Sequence, residues 1–273
     1  MGKEVAMEKQ RRTGQRRGAD NEFNGIHAVV TGGGTGIGAA IASSLAAAGA
    51  ILTLIGRNEG RLQKHRDELR ERFRAQVDFE IVDLVRPEQI APAFSSLIAR
   101  RGPAGILVNN AGAVETASFL KTSEDDLDRM LSVNLKQVVF CTQAVLPAMI
   151  KMNYGRIVNV ASVAGIRGQA FASAYCISKH GVIGLTRALA WEFAKTGITV
   201  NAVCPVYTET ELVDRAAASV AAKTGQDVNE IKRAFAQRNP AGRFVKPVEV
   251  ADTVMWLCSR RSTAINGQAI LVG

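Results

Sequence analysis

Thiol and imidazole are scarce in this chain, with four cysteines and three histidines among 273 residues. The cysteines, at 141, 176, 204 and 258, form no CxxC pair and fall in apolar stretches. They read as buried thiols of a reducing compartment, the cytoplasm, rather than as a disulfide framework. His27, His65 and His180 lack metal-ligand spacing, which argues against a zinc site. No apolar run reaches the roughly 18 residues of a membrane span, and the first twenty residues lack the apolar stretch of a secretory signal. They are basic instead, with Lys3, Lys9, Arg11, Arg12, Arg16 and Arg17 against Glu4, Glu8 and Asp20. Aromatic residues do not interleave these charges, Phe23 being the first in the chain, so no nucleic-acid partner is expected. Residues 1–22 are expected to form a disordered basic arm.

What is present is an alternation. A composition of 47% hydrophobic and 22% charged residues suits a globular protein with an ample core. Strand-like runs occur at 26–31, 51–56, 79–84, 106–110, 156–162, 198–204 and 269–272. Helical patterns fill the gaps at 37–48, 59–74, 87–100, 124–151, 174–195 and 247–260. Parallel strands need crossover connections, so this order predicts an α/β, Rossmann-type doubly wound sheet of seven parallel strands with helices on both faces. No internal repeat or Pro/Gly-rich linker divides it, and residues 23–273 read as a single catalytic domain. The alternation breaks only at 206–243, where helical stretches at 216–222 and 228–237 follow a strand. Open α/β sheets bind ligands at that strand end, so the segment is expected to be a small substrate lid; a merely structural helical pair is the other reading.

Two motifs carry chemistry. Gly32, Gly34, Thr35, Gly36, Ile37 and Gly38 follow the first strand and open a helix. The spacing is looser than GxGxxG, yet strand, turn and helix in this order suit a dinucleotide, whose phosphates meet free N–H groups at the helix start. At the end of the second strand, where an acid would hold the ribose of NAD, stand Arg57 and Asn58. A guanidinium fork accepts a 2′-phosphate that an acid would repel, so NADP(H) is favoured, with NAD(H) the alternative. Tyr175 and Lys179 are four residues apart, which places them on one helix face. A cation beside a phenol of ordinary pKa about 10 favours the phenolate and brings it toward the range useful for acid–base work.

From about residue 25 to 273 these motifs resemble, in order, those of the short-chain dehydrogenase/reductase family. The resemblance implies that Asp83, followed by Leu84, contacts the adenine, and that Asn110, Ala111 and Gly112 shape the floor of the cofactor cleft. It implies a catalytic tetrad of Asn134, Ser162, Tyr175 and Lys179. Tyr175 would protonate a carbonyl oxygen held by Ser162, while hydride reaches its carbon. Lys179 would lower the tyrosine pKa and hold the nicotinamide ribose, and Asn134 would anchor a water leading protons to solvent. Pro205, Thr208 and Thr210 would border the nicotinamide, Thr210 at its amide. The family's usual glycine after that proline is Val206 here, which is expected to alter the loop leaving the sheet, since valine does not adopt positive φ cheaply. Members often run a few residues further than Gly273, so a short tail is expected there.

The stretch from Asn239 to Phe244 and the one from Pro247 to Ala251 resemble the 3-oxoacyl-thioester and polyketide ketoreductase branch. Around the lid, Arg215, Lys223, Lys232 and Arg233 either meet a phosphopantetheine or CoA phosphate or form a solvated helix face. Trp191 stands where carrier-protein reductases show a basic residue, which favours a CoA thioester or small ketone. The expected activity is thus NADP(H)-dependent reduction of a ketone, or the reverse oxidation of a secondary alcohol. The alternatives are an NAD(H)-dependent alcohol or 3-hydroxyacyl dehydrogenase, and a non-catalytic dinucleotide-binding sensor. The partner is a small carbonyl or alcohol substrate, with neither membrane nor nucleic acid involved, and the resemblance implies a homotetramer or homodimer.

Overall fold

The computed structural model describes residues 22–273, so the arm expected over 1–22 lies outside the described residues apart from Glu22. Seven strands are β1 (His27–Thr31), β2 (Ile51–Gly56), β3 (Val77–Ile81), β4 (Ala104–Asn109), β5 (Gly155–Val160), β6 (Ile198–Pro205) and β7 (Ala269–Val272). They form one parallel sheet in the order β3-β2-β1-β4-β5-β6-β7. Because β1 pairs with both β2 and β4, the strand order reverses there and leaves a crevice at their carboxyl ends, where open α/β sheets take ligands.

The helices are α1 (Gly36–Ala47), α2 (Glu59–Phe73), α3 (Pro87–Arg101), α4 (Glu124–Leu131), α5 (Gln137–Met152), α6 (Ser173–Glu192), α7 (Glu211–Thr224), α8 (Val228–Gln237) and α9 (Pro247–Cys258). Consecutive strand residues point to opposite faces, and the core divides accordingly. Val30, Leu52, Leu54, Ile106 and Val108 pack with Ile41 of α1 and Val254 of α9. Val29, Ile55 and Leu107 pack on the other face with Phe94 of α3 and Met149 of α5. Strands buried on both sides explain why their sequences are continuously apolar rather than alternating. The span Glu124–Met152 is the one helix among the described residues long and apolar enough to cross a membrane by length and composition. Cys141, Val145 and Met149 account for that apolarity by lying in the core.

Several boundaries differ from those expected. β3 begins and ends earlier than 79–84, because its ladder with β2 runs from Leu52–Val77 to Gly56–Ile81 and β2 offers no later partner. Asp83 and Leu84 therefore sit in the loop beyond the strand. The helix expected over 124–151 is interrupted at Ser132–Lys136 by a π-helical turn that contains Asn134. The first helix after β6 starts at Glu211 rather than 216 and ends on Gly225, whose φ of +73° suits a left-handed cap. Val206 does not take a positive φ; its N–H donates to the Val272 carbonyl at 3.1 Å and prolongs the pairing of β6 with β7. Of the four free cysteines, Cys141, Cys204 and Cys258 are buried, but Cys176 is only partly so.

Candidate active site

The first turn after β1 is shaped by close approach. Gly32, at φ +66°, donates to the Ile55 carbonyl at 2.7 Å. A Cβ there would lie 2.8 Å from Asn110 Nδ2. Asn110 Nδ2 donates to the Thr31 carbonyl at 2.9 Å, and Thr31 Oγ1 accepts from the N–H groups of Asn110 (2.9 Å) and Ala111 (3.0 Å). Gly38 lies beneath this network, where a Cβ would run into the Gly32 carbonyl. Thr35 precedes α1 in an extended conformation without a side-chain cap bond, and the first turn of α1 carries no acid. Its free N–H groups and positive dipole end face the crevice as an anion-binding surface.

Two cavities meet at this turn. The outer one, about 250 Å³, is lined by Gly34, Arg57, Asn58, Asp83 and Leu84, together with Arg61 of α2. Asn58 is committed locally, its Oδ1 accepting from Arg61 N at 2.9 Å to cap α2. Arg57 projects into solvent, its side chain 72% exposed, with Nη1 4.0 Å from Asp83 Oδ1. The inner cavity, about 280 Å³, takes in Thr35, Gly36, Ile37, Asn110, Ala111, Gly112, Ser162, Tyr175, Lys179, Pro205, Thr208 and Thr210. The turn, which a Cβ at Gly32 or Gly38 would fill, the uncapped start of α1 and the cation at the outer end together fit a nicotinamide dinucleotide lying across both cavities.

Ser162, Tyr175 and Lys179 share one wall of the inner cavity. Ser162 follows β5 and caps a 3-10 turn, its Oγ accepting from Ala164 N at 3.1 Å. Tyr175 and Lys179 lie on the buried face of α6. The Lys179 ammonium donates to the Val160 carbonyl at 3.0 Å and stands 5.9 Å from the centre of the Tyr175 ring. Burial decides both pKa values. It pushes the Tyr175 phenol up to about 12, although a hydrogen bond with Ser162 acts the other way. It pulls the Lys179 ammonium down to about 8. The Tyr175 shift thus runs opposite to the direction expected from a neighbouring cation, desolvation of the phenolate being its largest cause.

Asn134 and Gly38 line neither cavity. Asn134 is fully buried behind Gly112, and both ends of its amide engage Ala113: Oδ1 accepts from Ala113 N and Nδ2 donates to Ala113 O, each at 3.0 Å. The side chain therefore fixes the cavity floor at Ala113. Some lining residues carried no sequence motif. Gln169 Nε2 donates to Tyr207 Oη at 2.6 Å, and the Tyr207 ring stacks on Phe235 at 4.7 Å. Val213, Ala216 and Val220 complete an apolar wall from α7, and their three- and four-residue spacing was the one available signal. Of the four cations expected around the lid, only Arg215 lines either of these two cavities: Lys232 pairs with Asp214 (2.5 Å), and Lys223 and Arg233 donate to the carbonyls of Thr116 (3.0 Å) and Asn229 (3.4 Å).

Comparison with known proteins agrees with this geometry. Residues 26–221 match the family model of the short chain dehydrogenases. A protein named as ketoacyl reductase 1 of the granaticin polyketide synthase, from Streptomyces violaceoruber, is 40% identical over 248 residues, 90% of each chain. The 3-oxoacyl-(acyl-carrier-protein) reductase of Aquifex aeolicus is 36% identical over 92% of this chain and 97% of its own. Among solved structures, a single-site variant of the actinorhodin polyketide ketoreductase with NADPH superimposes with a TM-score of 0.87 at 35% identity, covering 90% of this chain and 95% of that one. The chain is a ketoreductase-like oxidoreductase that belongs to the short-chain dehydrogenase family.

Proposed function

We propose that this protein is an NADP(H)-dependent reductase acting on a ketone of the 3-oxoacyl-thioester class, carried on coenzyme A. What carries the reading is the convergence of Ser162, Tyr175 and Lys179 at the inner end of a cleft whose other end is the phosphate-binding turn. When bound, the reduced nicotinamide supplies hydride to the carbonyl carbon. Tyr175, kept protonated by burial, donates its proton to the carbonyl oxygen as that oxygen takes up the electron pair of the carbon–oxygen π bond. The ammonium of Lys179 stabilises the phenolate that is left. Ser162 Oγ accepts from Ala164 N, and its hydroxyl, which bonds Tyr175, turns to the substrate oxygen and orients it. Asn134 acts indirectly, by holding Ala113 and with it the floor beneath the substrate. The segment 206–243 is the lid, its α7 and α8 closing the apolar wall around the acyl chain.

This mechanism requires a charged Lys179, whose pKa is depressed to about 8. Below that value the ammonium is present, and above it the charge is lost while Tyr175 remains protonated. In the reducing direction kcat/KM for NADPH should fall as pH rises through about 8, since this parameter reports groups of the free enzyme. A profile flat between about pH 6 and 10 would detach the Lys179 charge from the chemistry.

The preference for the 2′-phosphate rests on Arg57. Arg57→Glu should raise KM for NADPH by about 10- to 100-fold, the worth of a charge-assisted hydrogen bond, while KM for NADH changes little. Equal changes for both cofactors would remove Arg57 from the discrimination. The substrate class is tested by the loss of reduced-nicotinamide absorbance with acetoacetyl-CoA, expected to be much faster with NADPH than with NADH. Silence with both cofactors, despite their binding, would reject a 3-oxoacyl thioester. Exposed Ile150 and Met152 of α5, with Ile177 and Trp191 of α6, support a homodimer or homotetramer built through these helices. The unpaired cysteines support a cytoplasmic location.

A further inference from the structure

We infer that Arg215, carried on the lid helix α7, binds the diphosphate of the dinucleotide and makes the lid part of the cofactor site. The inference rests on the reading of the cleft as a nicotinamide dinucleotide site and extends it to a residue outside the turn. Five residues line both cavities: Gly32, Thr35, Ala111, Gly112 and Arg215. They mark the junction through which a ligand spanning both must pass, and Arg215 brings the only charged side chain among them. The junction is bounded by Thr35, at the uncapped start of α1, and by Arg215. A diphosphate carries negative charge for both, and the planar fork of arginine suits paired phosphate oxygens.

The acids nearest Arg215 along α7 are engaged elsewhere. Asp214 pairs with Lys232 at 2.5 Å, and Glu211 pairs with Arg61 of α2 at 2.9 Å. Glu211 and Arg215, four residues apart, share a helix face, and that face crosses the cofactor groove from α2 to the junction. Next to them, Thr210 Cγ2 lies 3.3 Å from the position a Cβ on Gly36 would take. The start of the lid therefore rests on the phosphate-binding turn, whereas Val213, Ala216 and Val220 face the inner cavity. Neutralising Arg215 with the diphosphate would hold α7 closed before substrate enters, which couples cofactor binding to the substrate pocket.

The test compares the wild-type protein with Arg215→Ala and Arg215→Lys by titrating NADPH in the absence of substrate, read from nicotinamide fluorescence. Arg215 is exposed, and circular dichroism with thermal melting checks that each variant is folded. The expected result is a Kd for NADPH raised about 10- to 100-fold in Arg215→Ala, with a partial rise in Arg215→Lys. In parallel, KM is measured for acetoacetyl-CoA and for ethyl acetoacetate, which carries no phosphate. An unchanged Kd with KM raised for the CoA thioester alone would overturn the inference and assign Arg215 to a substrate phosphate. An unchanged Kd with both KM values unchanged would overturn it outright. If the wild-type protein fails to bind NADPH, the underlying cofactor reading falls; if it binds and Arg215→Ala binds equally well, only the role of Arg215 does.

Discussion

Tyr175→Phe should lower turnover by about a thousandfold or more while leaving NADPH affinity within about twofold of wild type, an effect at the upper end of what a positioned proton donor supplies. The ring is packed among Met130, Ala164, Ala172 and Ala174, and phenylalanine keeps every one of those contacts. What is lost is a single hydroxyl, set beside Ser162 and held protonated by burial. Melting temperature should hold or rise slightly, because a buried phenol gives way to an apolar ring edge. Loss of turnover without loss of fold or cofactor is the signature of chemistry. Turnover within about tenfold of wild type would mean that another group protonates the substrate oxygen.

The second large effect is structural and runs against helix propensity. Gly38 lies in the first turn of α1, and glycine-to-alanine changes in a helix usually stabilise by about 1 kcal/mol. Here the added Cβ would overlap the Gly32 carbonyl and Asn110 Nδ2, and Asn110 ties β1 to the end of β4 through Thr31. None of these atoms is the loose end of a flexible chain. Gly38→Ala should therefore destabilise by about 2 kcal/mol, as overpacking does, and lower the melting temperature by roughly 4–8 °C. NADPH affinity should fall with it, because the displaced Gly32 borders the junction of the two cavities. The matched control is Gly60→Ala on α2, where a Cβ meets only Asn58 Oδ1 at 3.7 Å; it should be neutral or mildly stabilising. A Gly38→Ala protein at least as stable as wild type would show that the turn yields without cost.

Strands buried on both faces announce themselves as unbroken apolar runs, and for that reason β2 stands where the sequence places it. β3 departs from its apolar run at 79–84 because its ends are set by where β2 stops offering partners. The π-helical turn at Asn134 leaves no mark on the apolar period. Motifs located the glycine turn and the Tyr175–Lys179 face, since both depend on spacing along one element. They could not give the pKa of Tyr175, which depends on burial assembled from α4, the 3-10 turn after β5 and the start of α6. Nor could they separate Arg215 from Lys223, Lys232 and Arg233, four cations whose roles diverge only when α7 lies across the turn.

The most direct measurement uses NADPH dideuterated at the nicotinamide carbon that carries the hydride, incubated with the protein and acetoacetyl-CoA, with the product analysed by mass spectrometry. The expected product is a 3-hydroxyacyl thioester bearing one deuterium on its carbinol carbon, formed by the wild-type protein and not by Tyr175→Phe. Bound cofactor with no deuterium in the product, across this thioester and simple ketones alike, would contradict it and leave a dinucleotide-binding protein without hydride transfer.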